Sequence, residues 1–217
     1  MPLSSKATIR ILLADDHRLL REGLRGILAA QNGLLVCAEA ADGEAAWHAI
    51  EREKPDVAVL DHSMPVCSGI DVLKKMQQAG LGTRGIILSS FAAPMLVAEA
   101  LRAGAGGYLI KDSAAEEVVA AIRAVAAGKT YLSRGIDTAA LNEAMHILPV
   151  SDRQGEVLDA LLEGRSAAET ATQLGISPRT VETYRNQLIG KFSARNALHL
   201  IRRALDAGFG TPRKPSS

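Results

Sequence analysis

Between residues 9 and 127 the same alternation occurs five times: a short, mainly apolar run, then a stretch with apolar residues at helical spacing. The runs are residues 9–14, 34–40, 57–60, 85–89 and 107–110, and the intervening or following stretches are 18–30, 43–53, 68–79, 94–103 and 114–127. Apolar runs of four to eight residues bounded by turn residues suit strands buried on both faces. Strands alternating with helices call for right-handed crossovers, and hence for a parallel sheet covered by helices on both sides. The third run, V-A-V-L-D-H-S-M-P from Val57 to Pro65, is the most telling. Periodicity alone does not exclude a short helix there. Pro55 before it and Met64-Pro65 after it argue for a strand with a loop at each end.

In an open α/β sheet, ligands bind outside the carboxyl ends of the strands. The first run ends in Asp15-Asp16, the third in Asp61, the fourth in Ser89-Ser90 and the fifth in Lys111. A lone strand-end aspartate is most simply a helix cap. Three carboxylates, a hydroxyl and an ammonium on one sheet edge have a shared chemical use. Carboxylate oxygens suit Mg2+, which usually takes one or two of them along with waters and phosphate oxygens. A carboxylate can also accept a phosphoryl group. Lys111 and the cation would then balance the charge on the transferring oxygens, and Ser89 would hydrogen-bond the phosphate.

At 217 residues, with 47% hydrophobic and 23% charged side chains, the chain suits two soluble domains. No apolar run approaches the length of a membrane span, and the start M-P-L-S-S-K-A-T is unlike a signal peptide. Cys37 and Cys67 read as reduced thiols in a cytoplasmic protein. The formal charge is −2 over residues 1–147 (15 basic, 17 acidic) and +3 over residues 148–217 (10 basic, 7 acidic). The basic tail suits a nucleic-acid partner.

Past Gly128 the pattern changes. Residues 129–147 read as a linker with one helix over 137–145, and 148–210 as a second domain. Within it, Ser151, Ser166 and Ser177-Pro178 open successive helices, and Gly175 turns the chain between the second and third. A final helix is expected over 195–207 and a disordered tail over 211–217. Short helix, glycine turn and second helix form a helix-turn-helix. At 100° per residue, Val181, Leu188 and Phe192 share one face of the third helix, with Tyr184 at its edge. Thr183, Asn186 and Gly190 centre on the opposite face, flanked by Glu182 and Gln187. Amide, hydroxyl and carboxylate groups there can read base edges. Arg179, Arg185 and Lys191 lie nearer the flanks, where phosphates run, although the stem of Arg185 falls against the core.

Residues 9–127 resemble a bacterial response-regulator receiver domain through L-L-A-D-D-H, V-L-D-H-S-M-P, I-I-L-S-S and G-Y-L-I-K-D. The C-terminal part resembles the LuxR-type DNA-binding domain through S-D-R-Q-x-E-V-L, I-S-P-R-T-V-E-T-Y-R and Lys191-Phe192. Together they imply a NarL/FixJ-type response regulator: a flavodoxin-like (βα)5 doubly wound receiver over 1–128, then a small all-α helix-turn-helix domain.

The resemblance implies Asp61 as phosphoacceptor from a sensor histidine kinase. Mg2+ would be held by Asp16, Asp61 and the backbone carbonyl of Ser63, with Asp15 helping through water. Ser89 and Lys111 would be the family's hydroxyl and lysine. Tyr108 would be the switch aromatic, or else an apolar ring with an exposed hydroxyl. Phosphorylation would bias the face from residues 94 to 127 and control DNA binding, homodimerisation, or both. DNA contacts are expected from Arg179, Thr180, Glu182, Thr183, Arg185, Asn186 and Lys191. Activity beyond the receiver's own phosphorylation and dephosphorylation is not expected. Two other classes remain open. A haloacid-dehalogenase-type phosphatase would want a second aspartate where Ser63 stands, and a degenerate receiver would control DNA binding without phosphate. Tyr184, Gly190 and Ala168 depart from the family pattern.

Overall fold

The computed structural model describes residues 8–112 and 115–210. The chain falls into two compact units, residues 8–92 with 99–136 and residues 93–98 with 137–210. The expectation of a disordered tail over 211–217 lies outside the described residues.

The first unit is a parallel sheet. β1 (Ile9–Ala14), β2 (Leu34–Ala40), β3 (Val57–Asp61), β4 (Arg84–Ser89), β5 (Ala105–Ile110) and β6 (Tyr131–Leu132) stand in the order β2-β1-β3-β4-β5-β6. Between them run α1 (Arg18–Ala29), α2 (Gly43–Glu53), α3 (Gly69–Gln78), α4 (Pro94–Arg102) and α5 (Ala115–Ala126). Every strand pairing is parallel. Side chains alternate across a strand, and the core divides accordingly. Ile11, Leu13, Val57, Val59, Ile86, Leu88 and Leu109 pack with Leu24 and Leu28 of α1 and Val118, Ile122 and Val125 of α5. Their neighbours Leu12, Ala58, Leu60 and Ile87 are equally buried, as strands covered on both faces require. The apolar residues at helical spacing over 18–30 include Leu19, Leu20, Leu24, Ile27 and Leu28, yet Leu19 is 84% exposed.

The stretch expected to be linker contributes β6 to this sheet, a sixth strand beyond the five anticipated. Two residues are too few to show a period. β6 is held because Ser133 donates its N–H to the Tyr108 carbonyl at 2.9 Å and accepts the Ile110 N–H on its hydroxyl at 3.1 Å. The helix expected from residue 137 is present as α6 (Thr138–Met145), with Asp137 capping Ala139 and Ala140.

The second unit is helical: α7 (Asp152–Leu162), α8 (Ala167–Leu174), α9 (Pro178–Lys191) and α10 (Ala197–Asp206). Reciprocal capping boxes open α7 (Ser151 with Gln154) and α8 (Ser166 with Glu169). Ser177 caps α9 with Pro178 at the first turn. Gly175, at φ +63°, makes the left-handed turn between α8 and α9, where a side chain would be strained. α10 begins two residues later than expected, with Asn196 as its cap. The core gathers Val157, Leu158, Leu161, Val181, Leu188, Phe192, Leu200 and Ala204, and Phe192 meets Phe209 edge-on at 5.4 Å. No helix among the described residues is long and apolar enough to cross a membrane.

Candidate functional site

The strand register assembles the first site. Ala14 pairs with Leu60, so Asp15 leaves β1 beside Asp61 at the end of β3. Asp61 pairs with Leu88, one residue short of Ser89, and Ser89 pairs with Ile110, one short of Lys111. Sheet order reverses between β1 and β3, the switch point where ligands bind in such sheets. All five predicted residues, Asp15, Asp16, Asp61, Ser89 and Lys111, therefore come together along one edge.

Its interior is dry. Asp15 and Asp61 are each 2% exposed and Ser89 is 1% exposed. The Lys111 ammonium lies 2.9 Å from Oδ2 of both aspartates, although neither Oδ2 has an aligned hydrogen bond. These are ion pairs with acceptor capacity to spare. Burial pushes the Asp61 carboxyl above the ordinary range, with help from the negative charge of Asp15 and against the pull of Lys111. Burial also opposes the charge on Lys111, but the two carboxylates overcome it and the net shift is upward. One cation facing two buried anions leaves a local deficit of positive charge.

A hard divalent ion fits that deficit. Asp15, Asp16, His17 and Asp61 bring their ligand atoms within 4.8 Å of one another, and carboxylate oxygens that share a single ammonium are the donors such an ion takes. Ser63 abuts the site through its N–H, 3.3 Å from Asp61 Oδ1. His17 was not read from the sequence as part of the cluster. Its Nδ1 lies 2.8 Å from Asp16 Oδ1 and 3.2 Å from Asp15 Oδ1. The signal was available: it directly follows the paired aspartates.

The loops are shaped to hold this edge. Arg21 donates to the Asp15 carbonyl at 2.6 Å. Gly69 opens α3 so closely against β3 that a Cβ there would stand 2.4 Å from the Asp61 carbonyl oxygen. Val66 has a φ of +70°, an unfavourable conformation for a β-branched residue.

Tyr108 is fully buried, and its hydroxyl donates to the Phe91 carbonyl at 2.7 Å. The alternative of an exposed hydroxyl is overturned. Ser89 accepts the Phe91 N–H at 3.1 Å. Burial raises the Tyr108 phenol, while a hydrogen bond with Ser89 works the other way. Tyr108 and Ser89 thus hold the same short loop.

The second site is the outer face of α9. Val181, Leu188 and Phe192 are buried, whereas Arg179, Glu182, Thr183, Asn186, Gln187 and Gly190 are exposed, as the helical angles require. Many of these side chains are held within the unit. Thr183 donates its hydroxyl to the Arg179 carbonyl at 2.9 Å, and Arg185 pairs with Glu182 at 2.8 Å. Thr180 shares a 2.8 Å hydrogen bond with Ser177, so its hydroxyl serves the cap. The Lys191 ammonium is bonded to the Pro149 carbonyl rather than extended from the flank. Gln187, outside the expected contact set, receives a hydrogen bond from buried Gln154.

A switch-point sheet edge with a buried Asp–Lys–Asp group, joined in one chain to a helix-turn-helix, defines a receiver coupled to a DNA-binding module. The comparisons agree. The family model for the response regulator receiver domain matches residues 11–123, and that for bacterial regulatory proteins of the luxR family matches residues 148–204. The chain is 34% identical over 207 residues to the uncharacterized transcriptional regulatory protein YxjL of Bacillus subtilis, covering 91% of this chain and 95% of that one. It is 35% identical over 198 residues to the transcriptional regulatory protein UhpA of Salmonella typhimurium, covering 91% and 98%. The solved receiver domain of the putative response regulator NarL from Mycobacterium tuberculosis is 38% identical. It covers 57% of this chain and 99% of that structure, with a TM-score of 0.56. The chain belongs to the response-regulator family of the NarL/FixJ type, and is a two-component transcriptional regulator with a receiver and a LuxR-type DNA-binding domain.

Proposed function

We propose that Asp61 accepts a phosphoryl group from the phosphohistidine of a sensor kinase, and that this controls binding of α9 to promoter DNA. The observation carrying the proposal is the buried Asp15–Lys111–Asp61 arrangement, whose second anion is left for a cation to balance. Asp61 supplies the nucleophilic oxygen. An O–P bond forms as the P–N bond breaks, and the bonding pair leaves on the kinase imidazole. Asp15, Asp16, Asp61 and the backbone carbonyl of Ser63 would hold Mg2+, which supplies charge neutralisation for the phosphoryl oxygens. Lys111 stands where it can shift from the Asp61 carboxylate to a phosphoryl oxygen. Ser89 can hydrogen-bond another, and doing so would release the Phe91 N–H it now accepts. That exchange gives the two states differential contacts at the loop Tyr108 also grips.

The receiver catalyses only its own phosphorylation and dephosphorylation in this reading. Ser63 stands where a dehalogenase-type phosphatase would need its second aspartate, which supports that limit. Active protein is read as a homodimer on two DNA half-sites about one helical turn apart. The reading includes a cytoplasmic location, which the free thiols Cys37 and Cys67 suit.

Intact mass after treatment with a small acyl phosphate and Mg2+ is the test. One added phosphate, absent in Asp61→Asn, is expected. Labelling that survives in Asp61→Asn removes the assignment, continuous turnover favours a phosphatase, and no adduct with intact DNA binding favours a phosphate-independent receiver.

A further inference from the structure

A buried amide contacts the α9 face from the side. Gln154, third residue of α7, is 7% exposed. Its Oε1 accepts the Ser151 backbone N–H at 3.1 Å, closing the capping box, and its Nε2 donates to Gln187 Oε1 at 2.8 Å. These two bonds leave no freedom in how either amide is turned. A backbone N–H only donates, so the oxygen of Gln154 must face Ser151 and its nitrogen must face Gln187. A nitrogen carrying two hydrogens only donates, so Gln187 must turn its oxygen inward. The Gln187 NH2 group then faces away from α7, carrying two donors and no acceptor.

Gln187 is exposed and flanks the face formed by Thr183, Asn186 and Gly190. Gly190, three residues on, is its helical neighbour, and a Cβ there would meet nothing within 4 Å. The outward amide therefore borders an open floor. An unconstrained glutamine can bind adenine bidentately, accepting from N6 while donating to N7. A glutamine whose oxygen is turned toward α7 has only its second lone pair left, and that does not face outward beside the NH2 group.

Resting on the reading that α9 enters the major groove, we infer that Gln154 is a positioning residue that fixes Gln187 as a pure hydrogen-bond donor toward DNA. Its partner is an acceptor: guanine O6 or N7, thymine O4, or a backbone phosphate oxygen. The polarity is set by a helix cap on a different helix, so a change in α7 alters what α9 reads without touching α9.

Gln154→Glu tests this. Glutamate keeps the capping box, which accepts Glu or Gln at that position, but has no donor for Gln187. Gln187 must reverse its amide, donate inward and present its oxygen. The independent change Gln187→Glu also presents an acceptor, while keeping Gln154 as donor. Full-length wild type and both variants would be used to select from a duplex pool randomised across the half-site.

If the partner is a base, both variants shift the same position from guanine or thymine toward cytosine or adenine, by roughly tenfold in relative enrichment. If the partner is a phosphate, both lose affinity for all sequences by similar factors, with preferences unchanged. Either result supports donor presentation. In the DNA-free protein, the side-chain 15N–1H2 resonances of Gln187 should move in Gln154→Glu. A folded Gln154→Glu that matches wild type in preference, affinity and those resonances overturns the inference. A wild type without sequence preference, but with the resonance shift present, instead overturns the placement of α9 on DNA, and the inference with it.

Discussion

The edge of β1, β3, β4 and β5 and the outer face of α9 carry polar functional groups in opposite ways. At the sheet edge Asp15, Asp61 and Ser89 are almost wholly buried and positioned by strand register. On α9 the groups are exposed or half-buried, and several are held by partners within one turn, as in Thr183 with Arg179 and Arg185 with Glu182. Charge in a dry site interacts strongly and costs heavily when unpaired, so the receiver edge stores a deficit of positive charge that a divalent cation answers. Exposed ion pairs are worth little and exchange readily, so the α9 face can trade its internal partners for DNA. One site is built to be switched and the other to be satisfied in either state.

The largest effects should distinguish the two kinds of support. Phe192→Ala empties a fully buried ring site in the helical unit and should cost about 3–5 kcal/mol. Added Mg2+ should not restore it. Lys111→Met leaves Asp15 and Asp61 buried without their ammonium and should cost about 3 kcal/mol, near the lower bound for a broken buried pair. Mg2+ should recover much of that loss. Urea unfolding with EDTA or Mg2+ measures both, and equal metal responses in the two variants would end the contrast drawn here.

On α9 the expected losses concern discrimination rather than folding. Asn186→Ala should cost roughly 1–3 kcal/mol at cognate sites and little on random DNA. An unchanged ratio of specific to random affinity would take Asn186 off the reading face. Lys191→Ala is expected to be milder than its charge suggests, since the ammonium must first leave the Pro149 carbonyl.

Asp61 also shapes stability against pH. Burial raises its folded carboxyl above the unfolded value, so the folded chain holds that proton more firmly than the unfolded chain. Ionised Asp61 therefore detracts from stability above the folded pKa. The penalty shrinks as pH falls through the folded value and is gone below the unfolded one. Asp61→Asn removes it, and metal-free mutant should be more stable at neutral pH by on the order of 1 kcal/mol. The advantage should fade on acidification and in Mg2+. A melting curve showing the mutant less stable at neutral pH without metal would contradict the burial argument.

How much of this was legible from residues alone follows from the same contrast. A parallel sheet forces strand ends onto one edge, so reading Asp15, Asp61, Ser89 and Lys111 at the ends of apolar runs was enough to assemble the site. The helical period likewise separated Val181 and Leu188 from Thr183 and Asn186. What escaped was whatever depends on a partner far along the chain or on too few residues. β6 is two residues secured by Ser133, and the link from Gln154 to Gln187 spans 33 positions. The engagement of Thr180 and Lys191 within the unit is also invisible to a helical wheel, which places side chains but not their bonds. Leu19 fitted the spacing and is exposed nonetheless, because a period marks a stripe without saying how wide its covering is.

The smallest predicted effect concerns Gly190. Glycine inside a helix costs up to about 1 kcal/mol relative to alanine, and the protein itself does not demand it, since a Cβ would meet nothing within 4 Å and the residue is exposed. Its backbone is ordinary helix within α9, so no left-handed turn requires it either. Gly190→Ala should therefore stabilise the helical unit by about 0.5–1 kcal/mol. The reason for glycine must then lie outside the fold, in the face it shares with Thr183 and Asn186. A methyl group at the centre of that face would hold the backbone further from base edges and weaken specific binding while the melting temperature rises. Opposite signs for stability and DNA affinity are the expected outcome of paired melting and binding measurements. A variant that is more stable and binds cognate DNA as tightly as wild type would show that the flat floor beside Asn186 is not used.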